Sequence, residues 1–349
     1  MRIASVIAAA LLLIAQPAFA QAEGTKSGLT KLLEAELGRF AGPGGPYHAG
    51  VYIKHMGTGE VAQVRGDDTF DSASTIKLVV LVMAYQMADQ KTLDLNQRYT
   101  IKDSDLRTGS GIIQYHDPGL NPTLRDVLTQ MVITSDNSAT DIMIAKVGGI
   151  PAINAWLKRN GYTATKFNHS VYTVRRVRYE RIDPKYAKLT PEDIYALQTN
   201  NPRFTASRRD LIAEVEATVR AKPDGQKILT FRPLPEDWLA IVTPNEMGKL
   251  LEGIEAGTIA SKAACDEMKQ IMRRQQAGTR KIPHWLSVPV AHKTGENNGI
   301  TNDVGMIYAK SGTIIMSIYS SGYTGLTGDA DDRLGAVARL VVEYFDGPS

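Results

Sequence analysis

Three short clusters in the chain hold residue types that acyl-transfer chemistry requires. The first is Ser74-Thr75-Ile76-Lys77, which spaces a hydroxyl and an amine three residues apart. Residues at this spacing share one face of a helix, so the Lys77 amine can reach the Ser74 hydroxyl. A serine hydroxyl needs a base to take its proton, and a lysine acts as that base only when burial makes it neutral. The cluster predicts a nucleophile and its base at a helix start, where backbone N–H groups favour a developing oxyanion.

The second cluster is Ser135-Asp136-Asn137, which lies between two stretches with helical spacing. A serine hydroxyl at this place would pass a proton to a leaving amine, and the Asn137 side chain would hold a substrate amide. The cluster therefore predicts a proton shuttle at Ser135 and a binding group at Asn137.

The third cluster is Lys293-Thr294-Gly295, which ends a predicted strand that begins at Val288. The Lys293 charge and the Thr294 hydroxyl would hold a substrate carboxylate. The backbone N–H of Glu296 would complete an oxyanion hole with that of Ser74, because two aligned donors stabilise the charge that develops during acyl transfer.

Each cluster also has an ordinary structural explanation. The first two resemble helix caps, and the third resembles a strand that ends at a glycine turn. The residues from Leu78 to Ala84 are all apolar, however, so a lysine that enters this helix is hard to leave solvated. The three clusters in this order favour a shared catalytic site.

The elements that must position these clusters follow from hydrophobic spacing. Strands near both ends and helices between them predict an α+β protein whose helical part is inserted into a sheet domain. Helices are predicted at Leu29 to Phe40, Ser74 to Ala88, Leu124 to Ile133, Ser138 to Val147 and Leu334 to Phe345. Strands are predicted at Val51 to Val64, as a hairpin that turns at Gly57-Thr58-Gly59, and at Val288 to Ala291, Val304 to Tyr308 and Thr313 to Tyr319.

Composition and charge exclude several classes of protein. A net charge of +3 is too small to predict nucleic-acid binding. The single cysteine, Cys265, forms no internal disulfide and is predicted to be a small core residue. Six histidines are scattered without ligand spacing, so neither a metal nor another cofactor is expected. A run of arginines is interpreted as a solvated surface, and it comprises Arg175, Arg176, Arg178 and Arg181.

The first twenty residues have the pattern of a cleavable signal peptide. Arg2 supplies a positive start, Val6 to Ile14 form an apolar run, and Ala18-Phe19-Ala20 supplies small residues for cleavage after Ala20. The run is too short for a membrane-spanning helix. These features predict a periplasmic or secreted protein without a stable membrane anchor, and we expect a monomer.

The three clusters together resemble the motif set of the class A β-lactamases and related penicillin-binding serine hydrolases. The resemblance covers the chain from about Leu29 to Phe345. Further similar segments are Thr108-Gly109-Ser110-Gly111-Ile112, Leu124-Arg125-Asp126-Val127-Leu128, Gly148-Gly149, Thr243-Pro244 and Thr301-Asn302-Asp303.

The resemblance implies a three-layer fold in which helices flank an antiparallel sheet. The catalytic domain would span residues 25–349, with a sheet part at 25–73 and 255–349 and a helical part at 74–254. It also implies that β-lactam or peptidoglycan-like substrates are opened through an acyl-serine intermediate without a cofactor.

One region departs from the family's pattern. Class A enzymes carry a loop glutamate that activates the water for deacylation, and the matching position here falls near Val171, which is not an acid. An extended insertion, residues 171–242, replaces the short loop of the family. Glu180, in an Arg-aromatic-Glu sequence, is the first candidate for a displaced base, and Glu236 is the second.

Three functions remain open from the sequence. The leading hypothesis is a β-lactamase. The related alternative is a D,D-peptidase or esterase-like enzyme that β-lactams acylate readily but that hydrolyses the resulting acyl-enzyme slowly. The alternative of another class is a non-catalytic periplasmic binder or sensor that uses the insertion to dock a partner.

Overall fold

The computed structural model describes residues 27–39, 48–117, 119–230, 234–323 and 327–348. Residues 1–20, predicted to be the signal peptide, lie outside this part of the chain. Within the described ranges, no helix combines the length and the apolar character needed to cross a bilayer.

A five-stranded antiparallel sheet joins the two ends of the described chain. Its strand order is β2-β1-β8-β7-β6, so the first strand pairs with the last and β6 lies at an edge. The predicted hairpin is confirmed by β1 and β2. The strands of the described chain are β1 (His48–His55), β2 (Val61–Val64), β3 (Phe70–Asp71), β4 (Lys166–Phe167), β5 (Ala240–Val242), β6 (Val290–Asn297), β7 (Ile300–Ala309) and β8 (Gly312–Ser321).

Helices cover both faces of this sheet. The helices of the described chain are α1 (Gly28–Gly38), α2 (Lys77–Asp89), α3 (Leu124–Ile133), α4 (Asn137–Lys146), α5 (Gly149–Arg159), α6 (Val171–Ile182), α7 (Pro191–Leu197), α8 (Pro202–Thr205), α9 (Arg209–Ala221), α10 (Gly225–Thr230), α11 (Pro244–Glu255), α12 (Lys262–Met272) and α13 (Thr327–Asp346).

Successive residues of β8 point to opposite faces and show how the layers form. Ile314 and Met316 join a core with α1 and α13, whereas Ile315 and Tyr319 join a larger core with α2 and its neighbours. Both faces of the sheet are therefore buried. The predicted α+β, three-layer architecture is confirmed.

Helix α2 runs through the centre of the larger core. All of its residues from Lys77 to Tyr85 are buried, as its apolar sequence predicts. The helix begins at Lys77 and not at Ser74 as expected, because Ala73–Ile76 forms a tight 3-10 turn first. Cys265 is completely buried in the same core, which confirms its predicted place.

Two helices lie near the predicted boundary between the sheet and helical parts. Helix α11, inside the range assigned to the helical part, packs on β1, β7 and β8 of the sheet. Helix α12, inside the range assigned to the sheet part, packs on α2 and α3 as well as on β6. The division at residue 254 stays a prediction.

The insertion has a small core of its own. Buried side chains of α6, α7, α9 and the segment between α6 and α7 pack together, and this core contains Tyr179, Ile182, Tyr186, Leu189, Ile194 and Val215. Strands β4 and β5 lie at the two ends of the insertion, and we call this place the neck. The small sheet β3-β5-β4 closes the neck, together with an ion pair between Arg181 and Asp237. Because β3 leads directly into the turn that carries Ser74, the neck ties the insertion to that turn.

Because the insertion and the sheet have separate cores, we predict that the insertion unfolds locally without the sheet. We expect Ile182→Ala to speed hydrogen exchange of amides in residues 179–219 while amides of β8 keep their exchange rates. Truncation of a buried isoleucine typically costs about 2–5 kcal/mol, and here that cost falls on the small core. Hydrogen exchange read by mass spectrometry measures both regions.

The matched control is Ile53→Ala, which removes a buried isoleucine of the sheet core and should speed exchange throughout the sheet. If Ile182→Ala speeds exchange in β8 as strongly as Ile53→Ala does, the insertion does not open separately.

Candidate active site

Ser74 lies in the 3-10 turn that precedes α2, at the mouth of a cleft of about 210 Å³. The turn starts from Ala73, whose φ of 42° is left-handed and costly for a residue with a side chain. The Asp71 carboxylate accepts a hydrogen bond from the Ala73 N–H at 2.9 Å and helps to hold this conformation. The backbone residue directly before Ser74 is therefore held under local strain.

Lys77 is fully buried one turn after Ser74. Its amine donates to the Ser135 carbonyl at 2.6 Å, to the Ser135 hydroxyl at 3.2 Å and to Asn137 Oδ1 at 3.1 Å. Burial lowers the pKa of the Lys77 amine to about 7. At neutral pH a large fraction of this amine is therefore unprotonated and able to accept a proton.

Ser135 receives a second buried amine. Lys293 donates to the Ser135 hydroxyl at 3.0 Å and to the Thr294 carbonyl at 2.8 Å. Burial, with Lys77 nearby, lowers the pKa of Lys293 well below its usual range. The Ser135 hydroxyl is therefore the oxygen at which the two buried amines meet.

The backbone of the second cluster is as constrained as that of the first. Ser135 has a φ of 56°, and Asp136 caps α4 by accepting from the Ala139 N–H at 2.9 Å. The other Asp136 oxygen accepts from the Ile113 N–H at 2.8 Å. The helix-cap explanation of this cluster therefore applies to Asp136, while the residues on either side of it contact Lys77.

The Asn137 amide is held at both ends. Its oxygen accepts from Lys77, and its nitrogen donates to the Thr108 carbonyl at 2.9 Å. These two contacts orient an amide that lines the same cleft as Ser74.

The third cluster lies within β6, because the strand continues past the predicted end to Asn297. At Gly295 an added Cβ would lie 2.8 Å from the Ser72 carbonyl and 3.2 Å from the Ala73 Cβ. Only glycine allows this strand to approach the Ser74 turn so closely. The Thr294 hydroxyl lies 2.9 Å from the Gln275 side-chain amide, and Thr294 is not among the residues that line the cleft.

Glu296 is the one carboxylate among the described residues that line the cleft. It forms an ion pair with Lys281 at 2.8 Å, and that fully buried amine also contacts Asp331 at 2.8 Å. The buried Lys281 amine therefore holds the Glu296 carboxylate at the rim of the cleft.

The insertion supplies one wall of the cleft. Val171, Val174, Arg175 and Arg178 of α6 line it, together with Leu239 from the neck. The interpretation of the arginine run as solvated surface is therefore wrong for Arg175 and Arg178, because helical periodicity turns both toward the cleft.

The remaining two arginines of the run lie elsewhere. Arg176 pairs with Glu180 at 2.7 Å, and Arg181 pairs with Asp237 at the neck. Neighbouring positions of the run therefore have different roles.

The structure does not bring either candidate base to the cleft. Glu180 pairs with Arg176 along α6, and Glu236 is exposed in a short turn whose carbonyl contacts His169. Neither residue is among those that line the cleft in the described part of the chain.

The cleft wall on α6 was not predicted from the sequence. The sequence signal for this wall is the spacing of Val171, Val174, Arg175 and Arg178, at positions i, i+3, i+4 and i+7 of one helix.

Across the described ranges, no three His, Cys, Asp or Glu side chains gather to hold a metal ion.

Among known proteins, β-lactamase L2 of Stenotrophomonas maltophilia is 29% identical over 147 residues. That match covers 41% of this chain and 44% of the relative. The chain thus spans less than half the length of this relative.

Solved structures share the fold over a longer range. An ancestral class A β-lactamase superposes with a TM-score of 0.68 at 21% identity, covering 91% of this chain and all of the other. PBP-A superposes with a TM-score of 0.67 at 22% identity, covering 93% and 99%.

A family model described as the β-lactamase enzyme family aligns with residues 32–345. This range includes all three clusters and the insertion between them. The chain belongs to the β-lactamase enzyme family.

Proposed function

We propose that this protein opens β-lactam rings through an acyl intermediate on Ser74. The observation that carries the proposal is the Lys77 amine, which is buried one turn after Ser74 and bonded to both Ser135 and Asn137. A neutral amine at this place accepts the Ser74 proton as the Ser74 oxygen attacks the lactam carbonyl carbon. Contacts between a nucleophile and its base often tighten only when substrate binds.

Ring opening then breaks the bond between the carbonyl carbon and the lactam nitrogen. The nitrogen takes a proton from the Ser135 hydroxyl, which recovers one from the protonated Lys77. The contact between Lys77 and Ser135 supports this relay. Lys293 would take up a proton when a substrate carboxylate binds beside it, because an opposite charge favours the charged form of a buried amine.

The oxyanion that forms during the attack requires donors. The backbone N–H groups of Ser74 and Glu296 are proposed for this role, and the close approach of Gly295 to the Ser74 turn supports it. Loss of one such donor typically costs about 2.7–4 kcal/mol of transition-state stabilisation.

Hydrolysis of the acyl-serine needs a water and a second base. Val171 and Val174 make the α6 wall apolar where the family carries an acid, and Glu296 is paired with Lys281. These contacts favour a second candidate function, a D,D-peptidase or esterase-like enzyme that forms the acyl-serine readily and hydrolyses it slowly. One variant of PBP-A is known as an acyl-enzyme complex with penicillin G, so this fold supports the first step.

Mixing the protein with a chromogenic cephalosporin distinguishes the two candidates. Many turnovers per protein molecule support the β-lactamase, and one stoichiometric burst supports the peptidase-like enzyme. A mature protein that begins at residue 21 would also support export.

We expect Ser74→Ala to abolish covalent labelling by benzylpenicillin, because the substitution removes the attacking oxygen. Intact-protein mass spectrometry measures the adduct. The control is Ser261→Ala, which removes a surface hydroxyl that caps α12 and should leave labelling unchanged. Labelling of the Ser74→Ala protein would disprove the assignment of the nucleophile.

The rate of acylation should rise as pH increases through about 7. The pKa of Lys77 is lowered to about 7, so the amine loses its proton and becomes a base over this range. Stopped-flow acylation from pH 5.5 to 8.5 measures the profile. A Lys77→Arg protein should be slow at every pH, because a guanidinium stays charged. A profile without a rise near pH 7 would contradict the assignment of the base.

We expect Gly295→Ala to slow acylation by about tenfold or more, because the added methyl pushes β6 away from the Ser74 turn. The control is Gly38→Ala, since an added Cβ there has no neighbour within 4 Å among the described residues. If both proteins acylate at the wild-type rate, the strand does not need this close approach.

A further inference from the structure

A second cavity lies beside the cleft, and at about 520 Å³ it is more than twice as large as the cleft. One wall comes from residues 108–117, and the other comes from α7, α8 and the turn between them. Because α7 and α8 belong to the insertion, the insertion forms one side of this cavity. We call it the side pocket, and its lining includes Thr108, Gly109, Tyr115, Tyr195, Gln198 and Thr199.

Two hydrogen bonds tie the walls of the side pocket together. The Tyr195 hydroxyl donates to the Gln114 carbonyl at 3.0 Å, and the Thr108 hydroxyl donates to Gln198 Oε1 at 2.7 Å. The Gln114 side-chain amide also donates to the Gly109 carbonyl, which braces the first wall within its own segment. The side pocket is therefore formed before any ligand binds, as small-molecule sites usually are.

The side pocket and the cleft share one wall. The Asn137 nitrogen, in the cleft, donates at 2.9 Å to the carbonyl of Thr108, which lines the side pocket. Gly109 has a φ of 86°, and an added Cβ there would lie 3.0 Å from Asn137 Nδ2, so the position suits only glycine. Gly109 and Ser110 are both exposed. The crest that they form carries no side chain larger than that of serine, so a ligand can pass over it.

The side pocket offers an aromatic ring and neutral polar groups. Tyr115 is 79% exposed, the highest value among the large apolar side chains of the described ranges. Gln198 supplies an amide on the other wall. The Arg203 guanidinium is paired with Asp103 at 2.6 Å, and the exposed Asp117 carboxylate opposes an anionic ligand. These groups suit an uncharged ligand with a planar group that stacks on the ring and forms hydrogen bonds.

We propose that the side pocket binds the far end of the substrate's acyl side chain and selects acyl donors that carry a second, uncharged amide group there. This inference rests on the proposed function, in which Asn137 holds the first side-chain amide. Beyond that amide, the side chain would cross the crest at Gly109 and Ser110, and the second amide group would stack on Tyr115. The insertion thus extends the substrate site beyond the cleft.

Piperacillin and N-acetylampicillin provide a matched pair of probes. In both compounds the amine of ampicillin is acylated and carries no charge, but only piperacillin bears a dioxopiperazine ring, which is a cyclic diamide. The measurement is the second-order rate constant of Ser74 acylation for each compound. We expect the wild-type protein to prefer piperacillin by about fivefold or more, as one aromatic contact predicts.

Tyr115→Ala should lower this ratio toward one while acylation by N-acetylampicillin keeps its rate, because the exposed ring lies outside the cleft. Tyr115→Phe keeps the ring and should keep the ratio. The matched control is Trp285→Ala, which removes another exposed aromatic side chain that lines neither cavity. Its ratio should equal that of the wild-type protein.

The outcomes separate this inference from the proposed function. If N-acetylampicillin acylates Ser74 while the wild-type protein shows no preference, or Tyr115→Ala keeps the preference, the inference is overturned and the proposed function stands. If neither compound forms an adduct, both are wrong.

Discussion

The burial of the Lys77 amine is the interaction on which the site depends. A lysine excluded from water must find acceptors, and this one finds them in Ser135 and Asn137. The same contacts that satisfy the amine bring two of the three clusters together. Burial also lowers the pKa of the amine. The packing that the fold requires therefore also produces the neutral amine that the proposed chemistry requires.

Lys293 links the third cluster to the same centre. Its amine is buried at the edge strand β6 and contacts the hydroxyl that Lys77 also contacts. Two ammonium groups on one oxygen would repel each other, so their proximity favours the neutral form of at least one of them. The glycine that follows, Gly295, lets β6 approach the Ser74 turn. Sheet and helices therefore meet at the three clusters.

Much of this arrangement was predictable from the sequence. The hairpin, the buried helix after Ser74 and the α+β layers follow from apolar periodicity, which reports burial directly. The 3-10 turn at Ala73–Ile76 was not predicted, because its cause is a left-handed residue and contacts with distant chain. The position of Glu180 was not predictable either, since an Arg-aromatic-Glu pattern does not show which face of α6 the glutamate occupies.

The α6 wall shows that an insertion can supply one side of a cleft while the catalytic residues stay on other elements. Ser74, Lys77, Ser135 and Lys293 are held by the main body of the fold. The opposite wall lies on α6, which packs partly in the main core and partly in the insertion's own core. Val171 and Val174 carry no group that could act as a base for a water molecule. In the proposed function, acylation thus depends on the main body of the fold, and the α6 wall can change while the buried lysines stay in place.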